Sequence, residues 1–224
     1  MMSAAEARKR IAWQDKVYKE HLRRAGPLVL DYHGLQILAH RNVFAPVPYQ
    51  FNLLAQAVQR ELRDTDSVLD MGTGSGIQAI LAGSKAKHVL AVDVNPEAVK
   101  CATRNVRMNE VASRVKVMQS DLYARVRGRF SLIMFDPPFR WTAPRDLWER
   151  STADEGYATL RGFLLESRKH LTKNGRIILG FGTSGDFAYL KHLIRANGYR
   201  RKQLMKLIQK NGWTYFAFRL TADR

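Results

Sequence analysis

The chain has 224 residues, of which 46% are hydrophobic and 25% are charged, and this composition is typical of one folded soluble domain. Its 37 Lys and Arg residues and 20 Asp and Glu residues give a net charge of +17, so a polyanion is the first partner to consider. The one cysteine, Cys101, excludes an intrachain disulfide and a cysteine-based zinc site, and we expect no metal. No run of about 18 apolar residues and no apolar secretory segment occurs, so we expect a cytoplasmic protein without a transmembrane helix.

The N-terminal part predicts a helix followed by a hairpin. Residues 4–24 form a charged helical pattern that the pair Gly26-Pro27 ends. Two short apolar runs within residues 28–39 flank a polar turn, as in a β-hairpin. We therefore predict an N-terminal helix-and-hairpin extension over residues 1–43 and a main domain over residues 44–224.

The main domain predicts alternating strands and helices. A first helix is predicted at 49–63, strands at 68–71, 89–92, 115–119, 132–135 and 176–181, and further helices from 76, from 96, at 154–171 and at 186–197. Such alternation indicates a parallel sheet covered by helices. The last two strands, 201–209 and 213–220, are joined by Asn211-Gly212, which is the strongest short hairpin signal. The sheet is therefore predicted to end in an antiparallel C-terminal hairpin.

A glycine-rich turn follows the first strand of this domain. It reads Asp70-Met71-Gly72-Thr73-Gly74-Ser75-Gly76, and its glycines allow a tight turn and a close approach to a ligand. Asp93 ends the next strand and can accept hydrogen bonds from two ribose hydroxyls, while Asp121 follows the third strand and can face an adenine amino group. Asp70 would repel the pyrophosphate of a dinucleotide but attract an ammonium and a sulfonium, which favours S-adenosylmethionine (SAM) over NAD.

A second motif, Asp136-Pro137-Pro138-Phe139, ends the apolar strand at 132–135. The two prolines fix the backbone and lack N–H donors, so the Asp136 carboxylate and a rigid carbonyl provide two acceptors for an NH₂ group. Phe139 offers a flat face to a planar substrate. These features suit N-methylation of a conjugated amine or amide, in which positioning and charge stabilisation supply the rate without a strong base.

With these motifs the sequence resembles the class I SAM-dependent methyltransferases whose fourth motif is Asn/Asp-Pro-Pro-Tyr/Phe/Trp. Residues 68–76, 91–96, 120–122 and 136–139 resemble motifs I to IV, and the layout is similar to the small HemK-like group. The resemblance implies a Rossmann-like α/β fold with a seven-stranded, mostly parallel sheet. The cofactor-binding residues predicted in this way are Asp70, Gly72, Thr73, Gly74, Gly76, Asp93, Val94, Ser120 and Asp121, and the predicted catalytic residues are Asp136, Pro137, Pro138 and Phe139.

The substrate stays open between several classes. Enzymes with this fourth motif act on adenine N6, guanine N2 and protein glutamine N5, and the glutamine enzymes usually carry Asn-Pro-Pro-Tyr. Basic residues interleaved with tryptophans lie near the motif in the sequence and suit a flipped or single-stranded base: Arg125, Arg127, Arg129, Arg140, Trp141, Arg145 and Trp148. We predict methylation of an exocyclic amine of an RNA base, adenine N6 or guanine N2, with residues 140–157 as a substrate-closing lid. The alternatives are N-methylation of a protein glutamine or a small-molecule amine or amide, and a noncatalytic RNA-binding protein with the SAM fold.

Overall fold

The computed structural model describes residues 3–32, 34–44 and 48–223, with side chains for all of these except 48–52. The helices are α1 (Ala4–Leu22), α2 (Pro48–Glu61), α3 (Ile77–Gly83), α4 (Pro96–Met108), α5 (Ala158–Ser167) and α6 (Phe187–Ala196). The strands are β1 (Leu28–Tyr32), β2 (Leu35–Ala39), β3 (Ser67–Met71), β4 (His88–Asp93), β5 (Val115–Gln119), β6 (Phe130–Phe135), β7 (Leu171–Gly182), β8 (Tyr199–Ile208) and β9 (Thr214–Ala222). Across these described ranges, no helix combines the length and the apolar character that a membrane crossing requires.

One seven-stranded sheet forms the centre of the molecule, in the order β5-β4-β3-β6-β7-β9-β8. The strands from β3 to β7 pair in parallel, whereas β9 lies between β7 and β8 and is antiparallel to both. The turn between β8 and β9 contains Gly212 at φ 84°, as the Asn-Gly signal predicted. The predicted α/β class, the seven-stranded mostly parallel sheet and the antiparallel C-terminal hairpin are therefore confirmed.

The apolar runs of the sequence become the buried strands at the centre of this sheet. Leu69 on β3, Ile133 on β6 and Ile177 on β7 are fully buried, as expected for parallel strands covered on both faces. Helix α2 packs against β7, β8 and β9, while α4 packs against β5 and α6 against β8. The carboxyl ends of the parallel strands are left to the loops, and these loops carry the predicted site residues.

The β1–β2 hairpin is fastened to α4 by side-chain amides. Asn105 accepts a bond from the Leu38 amide at 3.0 Å and donates to the Leu38 carbonyl at 2.7 Å. One helical turn later, Asn109 repeats both bonds with the backbone of Gln36, at 3.1 and 2.9 Å. Asn105 also donates to the carbonyl of Ser75 at 2.8 Å, so the hairpin is linked through α4 to the glycine-rich turn. The boundary predicted between residues 43 and 44 stays a prediction.

The segment before β7 differs from its predicted secondary structure. The predicted helix at 154–171 is shorter, because Gly156 (φ 56°) and Tyr157 (φ 60°) adopt left-handed conformations that an α-helix does not contain. Helix α5 begins only at Ala158, and β7 begins at Leu171, five residues before its predicted start.

Candidate functional site

Four acidic residues lie in a row along the carboxyl edge of the sheet. The strand order β5-β4-β3-β6 places Asp121, Asp93, Asp70 and Asp136 at or just beyond the ends of four adjacent strands. The carboxyl ends of the strands in an open α/β sheet are where such folds bind their ligands. The structure therefore brings the predicted cofactor residues and the predicted catalytic aspartate to one edge.

The glycine-rich turn between β3 and α3 has the backbone shape of a ligand cradle. Gly74 adopts a φ of 54°, and no atom lies within 4 Å of the place where a Cβ would stand, so this side of the turn is open. Gly76 adopts a φ of 86°, and a Cβ there would lie 3.0 Å from the backbone of Ala102 on α4. Gly72 also has a positive φ, of 64°. The turn thus combines close helix packing with an exposed stretch of backbone.

Asp70 binds this turn through a buried hydrogen bond. Its side chain is only 3% exposed, and its Oδ2 accepts a hydrogen bond of 2.6 Å from the Thr73 hydroxyl. Burial raises the pKa of Asp70 to about 7, although the Thr73 bond opposes the shift. The carboxyl group therefore contacts the turn through Thr73, and its contact with the methionine part of SAM stays a prediction.

Asp93 and the loop after β5 form the next part of the edge. Asp93 accepts from the Gly74 amide at 2.9 Å and from the Asn95 amide at 2.9 Å, and burial raises its pKa. Each carboxylate oxygen retains a lone pair for a ribose hydroxyl. Ser120 is buried and its hydroxyl donates to the Leu122 carbonyl at 2.9 Å, which shapes the loop, whereas Asp121 is exposed. Half-buried Val94 follows Asp93 directly. This open cradle, with Asp93 and Asp121 as the acids predicted to bind the ribose and the adenine, fits an adenosyl cofactor such as SAM.

Asp136 stands at the end of β6 with a tyrosine as its partner. The hydroxyl of Tyr215 on β9 donates to Asp136 Oδ1 at 3.1 Å. Gly180 on β7 makes room for the carboxylate, since a Cβ there would lie 2.5 Å from Oδ1. The residue as a whole is exposed, but the surrounding protein shields the carboxyl group from enough water to raise the pKa of Asp136 to about 6. Tyr215 is buried, and its pKa is raised by burial and by the neighbouring carboxylate.

The Pro-Pro-Phe part of the motif is held by packing and by a second tyrosine. Pro137 is buried and Pro138 half-buried, while Phe139 is 7% exposed and packs against Phe181 and Tyr215, with ring centroids 5.4 and 5.5 Å apart. Most of the Phe139 ring is therefore occupied by protein, and its stacking on a substrate stays a prediction.

Tyr157 is the second tyrosine at this motif. Its hydroxyl donates to the Phe139 carbonyl at 3.0 Å and accepts from the Asp186 amide at 2.5 Å. Sequence reasoning missed both Tyr157 and Tyr215, because each contacts the motif from a distant position in the chain.

The structure corrects the prediction that Arg145 and Trp148 face RNA. The Arg145 guanidinium binds Glu149 at 2.6 Å and Asp15 of α1 at 2.9 Å. Trp148 is buried and stacks on His21 of α1, with ring centroids 3.8 Å apart. These side chains connect the N-terminal helix to the segment 140–157. Their aromatic and cationic groups therefore contact protein and do not face RNA. Half-buried Trp141 lies 6.0 Å from the Arg10 guanidinium of α1.

Of the arginines before β6, Arg129 is placed differently from the prediction. Arg129 directly precedes Phe130, the first residue of β6, whereas Asp136 directly follows its last residue. Six strand residues span about 20 Å, so Arg129 lies at the opposite edge of the sheet from the predicted chemistry. Arg125, in contrast, lies near the loop after β5, since its amide donates to Ser120 Oγ at 3.0 Å.

Comparison with known proteins places these features in a family context. The family model "Methyltransferase small domain" matches residues 34–184. A putative protein N5-glutamine methyltransferase of Methanocaldococcus jannaschii is 30% identical over 66% of this chain and 76% of its own length. A release factor glutamine methyltransferase of Cereibacter sphaeroides is 30% identical over 78% of this chain and 66% of its own. Among solved structures, the T. thermophilus 16S rRNA N2 methyltransferase, in complex with AdoMet and guanosine, aligns with a TM-score of 0.67 at 17% identity, over 88% of this chain and 50% of that one.

Proposed function

The chain belongs to the methyltransferase small domain family. We propose that it methylates the exocyclic NH₂ group of an RNA base. Membership confirms the predictions of a SAM-dependent N-methyltransferase and of SAM as its cofactor. The observation that supports the reaction type is the position of the Asp136 carboxylate. It lies at the end of β6, on the same carboxyl edge of the sheet as Asp70 and Asp93, and it accepts a hydrogen bond from Tyr215.

The residues of this chain divide the work between binding and proton handling. SAM supplies an activated methyl group when bound, and Asp93 and Asp121 are the acids that would hold its ribose and adenine. Asp136 accepts an N–H of the substrate and aligns the nitrogen. Since the pKa of Asp136 is raised to about 6, the carboxylate is mostly ionised at neutral pH and is a better proton acceptor than an ordinary aspartate. It can therefore stabilise the positive charge on the nitrogen and take up the proton that the nitrogen loses.

The choice of an RNA substrate is supported by the charge of the chain. The net charge is +17, and residues 191–224 carry nine basic residues and one acidic residue. Four basic side chains are exposed along the outermost strand β8: Arg200, Arg201, Lys202 and Lys206. A cationic strand at the edge of the sheet suits contacts with a phosphate backbone.

Protein glutamine is the second candidate, because two 30% identical relatives are named as glutamine methyltransferases. A glutamine side chain also presents a planar amide NH₂ group, from which the Asp136 carboxylate can accept a hydrogen bond. Asp136 and Phe139 stand where the glutamine enzymes usually carry Asn and Tyr, and this difference favours the RNA base.

Transfer of tritiated methyl groups from SAM into separate RNA, protein and metabolite pools tests the proposal. We expect label in RNA, and we expect Asp136→Ala to lose transfer while it keeps its affinity for S-adenosylhomocysteine. Label in protein alone would replace the RNA base by glutamine as the substrate. Equal loss of transfer and of cofactor affinity in Asp136→Ala would refute the role of Asp136.

A further inference from the structure

Arg140, the residue directly after the Asp136–Phe139 motif, is a buried cation without a partner among the described residues. Its side chain is 7% exposed, its Nε is buried without an acceptor, and no described residue gives its guanidinium a hydrogen bond or an ion pair. The other buried arginine of the described chain, Arg176, is bound by Asp66 at 2.7 Å and by the Ser131 carbonyl at 3.0 Å. An unpaired buried charge is costly, so a position that keeps one is suited to a ligand that supplies the missing acceptor.

The acidic side chain that influences Arg140 electrostatically does not pair with it. Glu149 interacts with Arg140 electrostatically, but four other bonds occupy its carboxylate. Its Oε1 accepts from Gln14 at 3.0 Å and from Arg145 at 2.6 Å. Its Oε2 accepts two bonds of 2.8 Å from the backbone amide and the Nε of Arg145. These four bonds fill the acceptor capacity of a carboxylate, which leaves the guanidinium of Arg140 free.

The backbone of Arg140 is fixed next to the motif. Its amide donates to the Thr152 carbonyl at 3.2 Å, and its carbonyl accepts from the Asp154 amide at 2.7 Å. Phe139, the residue before it, packs against Tyr215 with ring centroids 5.5 Å apart, and the Tyr215 hydroxyl donates to Asp136 at 3.1 Å. The backbone of Arg140 is therefore held one residue away from a ring that contacts the tyrosine bound to Asp136.

We propose that the Arg140 guanidinium recognises the RNA base by donating to the ring nitrogen beside the NH₂ group whose N–H bonds Asp136 accepts. This inference rests on the proposed function. The amine of adenine lies beside N1 and the amine of guanine beside N3, and both ring nitrogens are acceptors that a guanidinium can bind. Burial favours a base over a backbone phosphate, because a base that leaves its stack enters a closed pocket.

The test measures methyl transfer from tritiated SAM into a pool of unmodified RNA transcripts by the full chain, with Arg140→Gln and Arg140→Lys as variants. Arg129→Gln is the matched control, since it removes the same charge from an exposed arginine at the opposite edge. We expect Arg140→Gln to raise KM for RNA by about 5- to 150-fold, with KM for SAM unchanged, and Arg140→Lys to recover part of the loss. The control should keep the wild-type KM. The dependence of binding on salt should keep its slope, because no phosphate contact is lost.

Three results would overturn this role of Arg140 while the proposed function stands. They are an Arg140→Gln variant that behaves as Arg129→Gln does, an equal rise in KM for SAM, and a salt slope that falls by about one, which would assign Arg140 to a phosphate. If wild-type protein labels protein and no RNA, the RNA proposal fails, and the inference about Arg140 fails with it.

Discussion

Replacing Tyr215 by Phe would remove the one side-chain donor that the structure gives to Asp136. The lost bond, 3.1 Å between the Tyr215 hydroxyl and Oδ1, favours the ionised carboxylate and so lowers its pKa. A hydrogen bond to a charged group contributes about 1.5 kcal/mol or more, and about 1.4 kcal/mol corresponds to one pKa unit. Water replaces part of the lost bond, because Asp136 is an exposed residue. We therefore expect the pKa of Asp136 to rise by about 0.5 to 1 from its value of about 6.

The assay is the pH profile of methyl transfer. The ionised carboxylate is the working form, so activity is lost as the pH falls through the pKa of Asp136, and Tyr215→Phe should move this acidic limb to higher pH. Tyr123→Phe is the matched control, since Tyr123 is also buried but its hydroxyl has no partner. An acidic limb that stays in place in Tyr215→Phe, or that moves as far in Tyr123→Phe, would refute this account of Asp136.

The carboxyl edge of the sheet and the packing of the N-terminal region give three more predictions. Asp93→Ala should weaken the binding of S-adenosylhomocysteine by about 10- to 100-fold in calorimetry, because hydrogen bonds to a charged group are lost, and unchanged affinity would remove Asp93 from the cofactor site. Glu149→Gln should lower the free energy of unfolding by about 2 kcal/mol in urea, since it breaks a pair with half-exposed Arg145, and an unaltered midpoint would contradict this. Asn105→Ala leaves the buried Leu38 amide without its acceptor, while the Leu38 carbonyl keeps the Cys101 thiol as a donor, and the change should cost about 2 kcal/mol by the same measurement; a stability equal to that of the wild type would show that water replaces the amide.

The order of helices and strands could be predicted because the sequence changes its hydrophobic period where the structure changes its elements. The strands β3 to β6 appear as short apolar runs, and Asn211-Gly212 marks the final hairpin by its backbone requirement alone. The start of α5 could not be predicted in this way. Tyr157 is a residue type that rarely adopts a positive φ, and its conformation is fixed by bonds to Phe139 and Asp186, which lie 18 and 29 residues away.

The site could be predicted where its residues follow strand ends, since chain position then fixes spatial position. Asp70, Asp93 and Asp136 are of this kind, and the parallel pairing of their strands brings them to one edge. Whether an arginine is free depends on distant partners, which no local pattern contains. Arg145 pairs with Glu149 and Asp15, whereas no described residue pairs with Arg140, and the two are indistinguishable in the sequence alone.

The pairing of α4 with β2 rests on a coincidence between two repeat distances. Asn105 and Asn109 are four residues apart, which is about 6.0 Å along a helix axis, and Leu38 and Gln36 are two residues apart, which is about 6.7 Å along a strand. Because these distances nearly match, a helix can present amide groups to a strand at the spacing of a neighbouring strand, and α4 acts as a third partner of the hairpin. The free edge of β2 is thereby closed without another strand. Insertion of one residue between the two asparagines would rotate one relative to the other by about 100°, so that they could no longer bind Leu38 and Gln36 at the same time.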